Sequence, residues 1–166
     1  MTKIIVTGPE SSGKTTLCQS LSNHFNITFA EEFSREYLNK LNGKYDKSDL
    51  IKIAKGQLLK EHINKDVLIY DTDLITIKIW SEYKYGDCDH WIIEQIEKQK
   101  TEKRFYFLCK PDIPWRADPL RENQKERDEI YEIYKKELDR LSHNYFIIEG
   151  KDRFKKSLSK IVGLII

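Results

Sequence analysis

Cysteine is scarce in this 166-residue chain: Cys18, Cys88 and Cys109 make an odd count with no C-x-x-C pair among them. That excludes a disulfide framework or a cysteine zinc site and leaves reduced thiols. No apolar run approaches the ~18 residues that a membrane-spanning helix needs. Neither sign of charge dominates, since 29 Lys plus Arg stand against 27 Asp plus Glu, mixed along the chain rather than blocked. A nucleic-acid footprint would be a basic patch or stripe, and the sequence carries none. The chain enters its first apolar run with no charged and hydrophobic leader, so a cytoplasmic protein is expected. No internal repeat, low-complexity tract or linker interrupts it, and the length suits a single domain over residues 1–166 with one site.

What the sequence does contain is "TGPESSGKTT" at residues 7–16, behind Ile4-Ile5-Val6 and ahead of helical spacing. The frame Gly8-x-x-x-x-Gly13-Lys14-Thr15 is a complete phosphate-binding loop in its required strand-to-helix setting. Glycines at both ends let the backbone curl so that N–H groups converge on an anion, and the helix opening near Lys14 adds its positive end. Lys14 is expected on the β- and γ-phosphates of a nucleotide and the Thr15 hydroxyl on Mg²⁺. Pro9, Glu10, Ser11, Ser12 and Thr16 complete the nucleotide-binding stretch. Proline is compatible there, since it removes only one donor.

Five β-branched or aromatic runs recur, Lys3 to Val6, Ile27 to Ala30, Val67 to Tyr70, Arg104 to Leu108 and Tyr145 to Ile148, with helical spacing between them. The alternation predicts an α/β fold, a mostly parallel sheet covered on both faces with ligands at the carboxyl ends of its strands. Those ends carry the loop, Glu31 to Arg35, Asp71-Thr72-Asp73, Pro111 to Trp115, and Gly150 to Arg153. Residues 123–143 read as an amphipathic surface helix. Pro111 and Pro114 block helix before it, so residues 112–127 are expected to form a lid over the nucleotide.

Mg²⁺ needs a carboxylate opposite Thr15, and Asp71 directly follows an apolar strand. Asp73 suits either a helix cap or a substrate contact. Glu32 and Arg35, three apart on a helix beginning near Glu31, suit an acceptor hydroxyl and a phosphate. Phosphoryl transfer also calls for guanidinium charge, which Arg116, Arg121 or Arg127 of the lid would supply, Arg121 foremost at the loop-to-helix junction. Trp115, between Pro114 and Arg116, is either a core plug or a platform for a ring.

The stretches "GPESSGKTTL", "EEFSREYL", "YDTDLIT" and "PWRADPLR", with "DRF" at 152–154 as a weaker echo, resemble the ribosylnicotinamide kinase domain of the bacterial NadR-type NAD-biosynthesis proteins. The resemblance implies a three-layer P-loop fold with sheet order 2-3-1-4-5. It implies phosphorylation of nicotinamide riboside by ATP. It also implies roles for Glu32, Arg35, Asp71, Asp73, Trp115 and Arg121, and an adenine contact for Arg153. Trp115 would then stack on the cationic nicotinamide ring, while a carboxylate from Asp71, Asp73 or Glu32 takes the acceptor proton. No H-x-G-H-like adenylyltransferase signature precedes the kinase strand, so only the kinase step is expected. Two alternatives stand beside this. One is a kinase of the same fold for another nucleoside, nucleotide or shikimate-like alcohol. The other is a GTP-dependent switch, prompted by "CKPD" at 109–112 but opposed by Cys109 in place of Asn and by the lack of D-x-x-G.

Overall fold

The computed structural model describes residues 1–63 and 67–165. Strands β1 (Lys3–Thr7), β2 (Phe29–Ala30), β3 (Ile69–Asp71), β4 (Arg104–Cys109) and β5 (Asn144–Ile148) form one sheet. The helices are α1 (Lys14–Phe25), α2 (Phe33–Lys40), α3 (Lys47–Ile63), α4 (Leu74–Tyr85), α5 (His90–Gln99), α6 (Arg127–Arg140) and α7 (Arg153–Ile165). The sheet order is β2-β3-β1-β4-β5 with every pairing parallel. This is the expected P-loop architecture.

Strand alternation builds two cores. Ile4, Val6, Phe107 and Cys109 face α1 and α7 through Leu17, Cys18, Leu21 and Ile161. Ile5, Tyr70, Tyr106 and Leu108 face the opposite layer, where α3, α4, α5 and α6 bring Ile53, Ile75, Ile92 and Leu138. With both faces buried, the central strands read as continuous apolar runs rather than alternating ones. Parallel pairing brings the ends of β1 and β3 side by side, with Val6 opposite Asp71, and so sets the phosphate loop beside the first acidic residue.

Boundaries differ from expectation at the edges. Edge strand β2 keeps only Phe29 and Ala30 of its predicted run, having a single neighbour in the sheet. The helix predicted over 123–143 starts at Arg127, and residues 112–126 form an irregular segment before it. Among the described residues, no helix is long and apolar enough to cross a membrane.

Candidate active site

The phosphate loop leaves β1 through Gly8, whose φ of 137° suits glycine alone; a Cβ there would lie 2.6 Å from the Cys109 carbonyl oxygen. Ser11 and Gly13 also take positive φ, at 55° and 84°. The Ser12 hydroxyl donates to the Pro9 carbonyl at 2.7 Å and the Lys14 ammonium to the same oxygen at 2.8 Å. Helix α1 opens with no side-chain cap and no acid in its first turn. Its first N–H groups and its dipole are thereby left to an incoming anion. Behind the loop, the Arg153 guanidinium donates to the carbonyls of Ser12 and Lys110, both at 2.8 Å, and pairs with Asp112.

Beside the loop, Thr15 Oγ1 donates to Asp71 Oδ2 at 2.6 Å. Asp71 Oδ1 is buried and takes no hydrogen bond from any described residue. Burial pushes the Asp71 carboxyl up to about 6, and the nearby Glu32 carboxylate adds to the rise, against the Thr15 hydroxyl and the Lys14 and Arg35 charges. A buried carboxylate with a spare oxygen beside a hydroxyl fits Mg²⁺, which takes one or two protein oxygens and keeps waters and phosphates for the rest.

Thr72 holds φ at 69° and its N–H reaches the Val6 carbonyl at 2.9 Å, so the chain turns sharply between the two acids. Asp73 is thereby sent into the core. Its carboxylate caps α4 at Ile75 N (3.1 Å), and accepts from Arg104 (3.1 Å) and the Tyr106 hydroxyl (2.7 Å), with no solvent exposure.

On the acceptor side, Gly56 of α3 lets α2 approach closely, since a Cβ there would sit 2.1 Å from the Phe33 ring. Gln57 then accepts from the Phe33 N–H at 3.0 Å, doing the capping that Glu32 at the N-cap position does not. Glu32 is left facing the cavity with Ser34 and Arg35. The opposite wall is Thr76, Ile79, Trp80, Tyr83 and Lys84 of α4, and α6 closes the floor with Ile130 and Tyr134. Thr7, Thr76 and Tyr134 link hydroxyls at 3.3 and 3.1 Å. The Trp80 indole donates to the Tyr45 hydroxyl at 2.9 Å, which fixes its ring at the cavity edge. Lys84 donates to Tyr45 and to Glu122 of the segment before α6 at 2.7 and 2.8 Å. Burial opposes its charge, but these two bonds hold the Lys84 ammonium well above its ordinary value.

The segment before α6 also lines this cavity, contributing Leu120, Arg121, Glu122 and Asn123. Asp118 pairs with Arg35 at 3.0 Å. Arg127 at the start of α6 donates to the carbonyls of Ser11 and Ile113 at 3.0 and 3.1 Å, and its guanidinium stands 5.6 Å from the Trp115 ring centre.

A family described as AAA domain matches residues 3–155. The chain belongs to this family. Among curated relatives, the trifunctional NAD biosynthesis/regulator protein NadR of Escherichia coli is 31% identical over 162 residues, which is 90% of this chain and 38% of that protein. The NadR of Salmonella typhimurium is 33% identical over 129 residues, 71% of this chain and 30% of that one. The chain therefore spans 30 to 38% of these relatives' length. Among solved structures, a NadR protein in complex with NR superposes with a TM-score of 0.70 at 21% identity, covering 96% of this chain and 50% of that one. Deoxyadenosine kinase from M. mycoides with bound dATP gives 0.63 at 14%, covering 97% and 99%. These two likenesses establish a fold shared with P-loop kinases.

In this AAA-domain chain the cavity is lined by Gly8 through Thr16 together with Glu32, Arg35 and Arg121. Asp71 stands behind Thr15. Two expected substrate contacts are corrected. Asp73 is consumed by a helix cap and a buried ion pair, so no oxygen of it reaches the cavity. Trp115 lies outside the cavity wall and takes Arg127 as its cation. The aromatic rings that line the wall, Trp80 and Tyr83, were not singled out in the sequence because aromatics one turn apart within a helix read as core. The signal available was Lys84 beside them, an unusual neighbour for a core stripe.

Proposed function

We propose that the chain is a single-domain, ATP-dependent kinase acting in the cytoplasm on the 5′-hydroxyl of nicotinamide riboside, giving nicotinamide mononucleotide and ADP. The observation that carries this reading is one cavity lined by the phosphate loop together with Glu32, Trp80 and Tyr83. The NadR relatives, and the fold shared with a NadR–NR complex, support the choice of acceptor.

Lys14 and the loop N–H groups hold the β- and γ-phosphates, with Arg121 above them. The riboside lies against α4, its cationic ring on Trp80 and Tyr83, whose π-faces attract it. Glu32, uncommitted to any cap, orients the 5′-hydroxyl and accepts its proton as the oxygen attacks the γ-phosphorus. The bond to the β,γ-bridging oxygen breaks and ADP leaves. Thr15 and Asp71 would hold Mg²⁺, which when bound neutralises charge on the phosphate oxygens.

The GTP-switch alternative loses its basis in Asp112. One carboxylate oxygen accepts from Gly150 N at 2.7 Å and the other from Arg153, which ties the carboxylate to the β5–α7 turn rather than presenting it to a guanine edge. A kinase for another nucleoside remains the second reading, favoured by the deoxyadenosine kinase superposition. An ADP-release assay across nicotinamide riboside, purine and pyrimidine nucleosides and shikimate tests the choice. Release driven foremost by nicotinamide riboside is expected; release with other acceptors and none with this riboside would reject it.

A further inference from the structure

The phosphate loop contains a side chain that its phosphate chemistry does not require. Glu10 lies between Pro9 and Ser11, and a carboxylate in an anion cradle repels the ligand rather than holding it. Its oxygens are engaged elsewhere: Oε2 accepts the Asn123 N–H at 2.8 Å and the Glu122 N–H at 3.1 Å, and Oε1 lies 3.3 Å from the latter. Both partners are backbone groups of the lid, immediately after Arg121. On the other flank of Arg121, Asp118 closes a turn. Its carbonyl accepts the Arg121 N–H at 3.0 Å, its carboxylate accepts the Leu120 N–H at 2.9 Å, and Arg35 of α2 anchors it at 3.0 Å. The arginine thus stands between one tether to the acceptor wall and one to the donor loop. The neighbouring loop residue repeats the pattern, as the Ser11 hydroxyl accepts the Arg116 N–H at 2.9 Å.

We propose that Glu10 is a positioning residue: its carboxylate latches the lid backbone at Glu122 and Asn123 and so sets Arg121 over the phosphate loop. This rests on the kinase reading for its catalytic consequence, though not for the latch itself. A carboxylate is suited to the task because it offers two acceptor oxygens to adjacent N–H groups, and charge strengthens such bonds. The phosphate loop then has two functions in one stretch. Its backbone receives the donor, and its side chains hold the lid over the cavity that receives the acceptor.

The test uses Glu10→Ala, Glu10→Gln, Arg121→Ala and the Glu10→Ala/Arg121→Ala double variant. Native-state hydrogen exchange should show Glu122 and Asn123 amides opening roughly 10- to 100-fold faster in Glu10→Ala, the range for hydrogen bonds to a charged group, with much of the protection kept in Glu10→Gln. In the phosphotransfer assay, Glu10→Ala should lower kcat by roughly tenfold or more while KM for ATP moves less than about twofold, because the lost group never attracted phosphate. Glu10→Gln should restore most of the rate. Once Arg121 is alanine, removing Glu10 should cost little further, since residues acting through one contact are not additive. Unchanged exchange in Glu10→Ala overturns the latch. Independent, additive losses in the double variant, or a raised KM for ATP as the main effect, overturn the positioning of Arg121. A wild-type chain inactive on every acceptor refutes the kinase reading instead, and exchange alone then decides whether the latch exists.

Discussion

Asp71→Asn is expected to make the protein more stable and inactive at once. A carboxyl that titrates near 6 in the fold, against an ordinary value of 3.8, binds its proton more tightly folded than unfolded. At neutral pH its charge therefore opposes folding, by about 3 kcal/mol. Burial is the largest cause of that rise and the Glu32 carboxylate the next, so an uncharged amide relieves both. Part of the gain is returned, because the amide is a weaker partner for Thr15 and places an N–H₂ where Asp71 Oδ1 has no partner now. A net stabilisation of about 1 to 2 kcal/mol remains, or roughly 2 to 8 °C in a chain of this size. The sign fixes its pH dependence. The penalty is complete above about 6, fades as pH falls through that value, and is gone below the unfolded 3.8. Thermal and urea melts of both proteins at pH 7.5, 6.0 and 4.5 check this, with the two curves converging toward acid. If the asparagine variant is less stable at pH 7.5, or its advantage is the same at every pH, the buried unpartnered charge is not what Asp71 contributes. Such a gain in stability with loss of Mg²⁺-dependent turnover is what a strained functional carboxylate predicts.

Lys14→Ala should abolish turnover with ATP while leaving the fold intact, with only a modest fall in melting temperature from the lost Pro9 bond and the lost charge near Asp71; near wild-type kcat would refute the kinase reading. Trp80→Ala should raise KM for nicotinamide riboside by roughly 5- to 30-fold through loss of a cation–π contact, with Phe restoring part of it, whereas Trp115→Ala should change that KM little; a larger effect at Trp115 would reverse the assignment of the ring platform. Gly8→Ala should remove ATP binding and lower stability, because the new Cβ meets the Cys109 carbonyl oxygen at 2.6 Å in a left-handed backbone; an active variant would show that the loop relaxes at no consequence.

The phosphate loop was legible in the sequence because its glycines, lysine and threonine act largely through local backbone geometry, and strand and helix flank it directly. Asp71 was legible for a related reason, as an acid ending an apolar strand next to β1. Asp73, two residues away, was legible only in part: its helix cap was one of its two expected roles, but its burial was not foreseen. Its fate depends on Thr72 turning at positive φ and on Arg104, remote in sequence, supplying a buried charge. Trp115 misled through its setting, since a tryptophan among prolines reads as presented to a ligand. Arg127, placed by the start of α6, satisfies it instead. The acceptor wall was hidden for the opposite reason. Trp80 and Tyr83 sit in an apolar helix that packs into the core on one side, and only the folded arrangement shows which rings its other side gives to the cavity.

The choice of acceptor is tested most directly by the ratio of kcat/KM for nicotinamide riboside to that for deoxyadenosine, with ATP and Mg²⁺ and with the phosphorylated product identified by mass. A cavity walled by Trp80 and Tyr83 and flanked by Glu32 predicts nicotinamide mononucleotide as product and a ratio well above one, falling toward one in Trp80→Ala. Deoxyadenosine monophosphate formed at the greater kcat/KM would contradict the account.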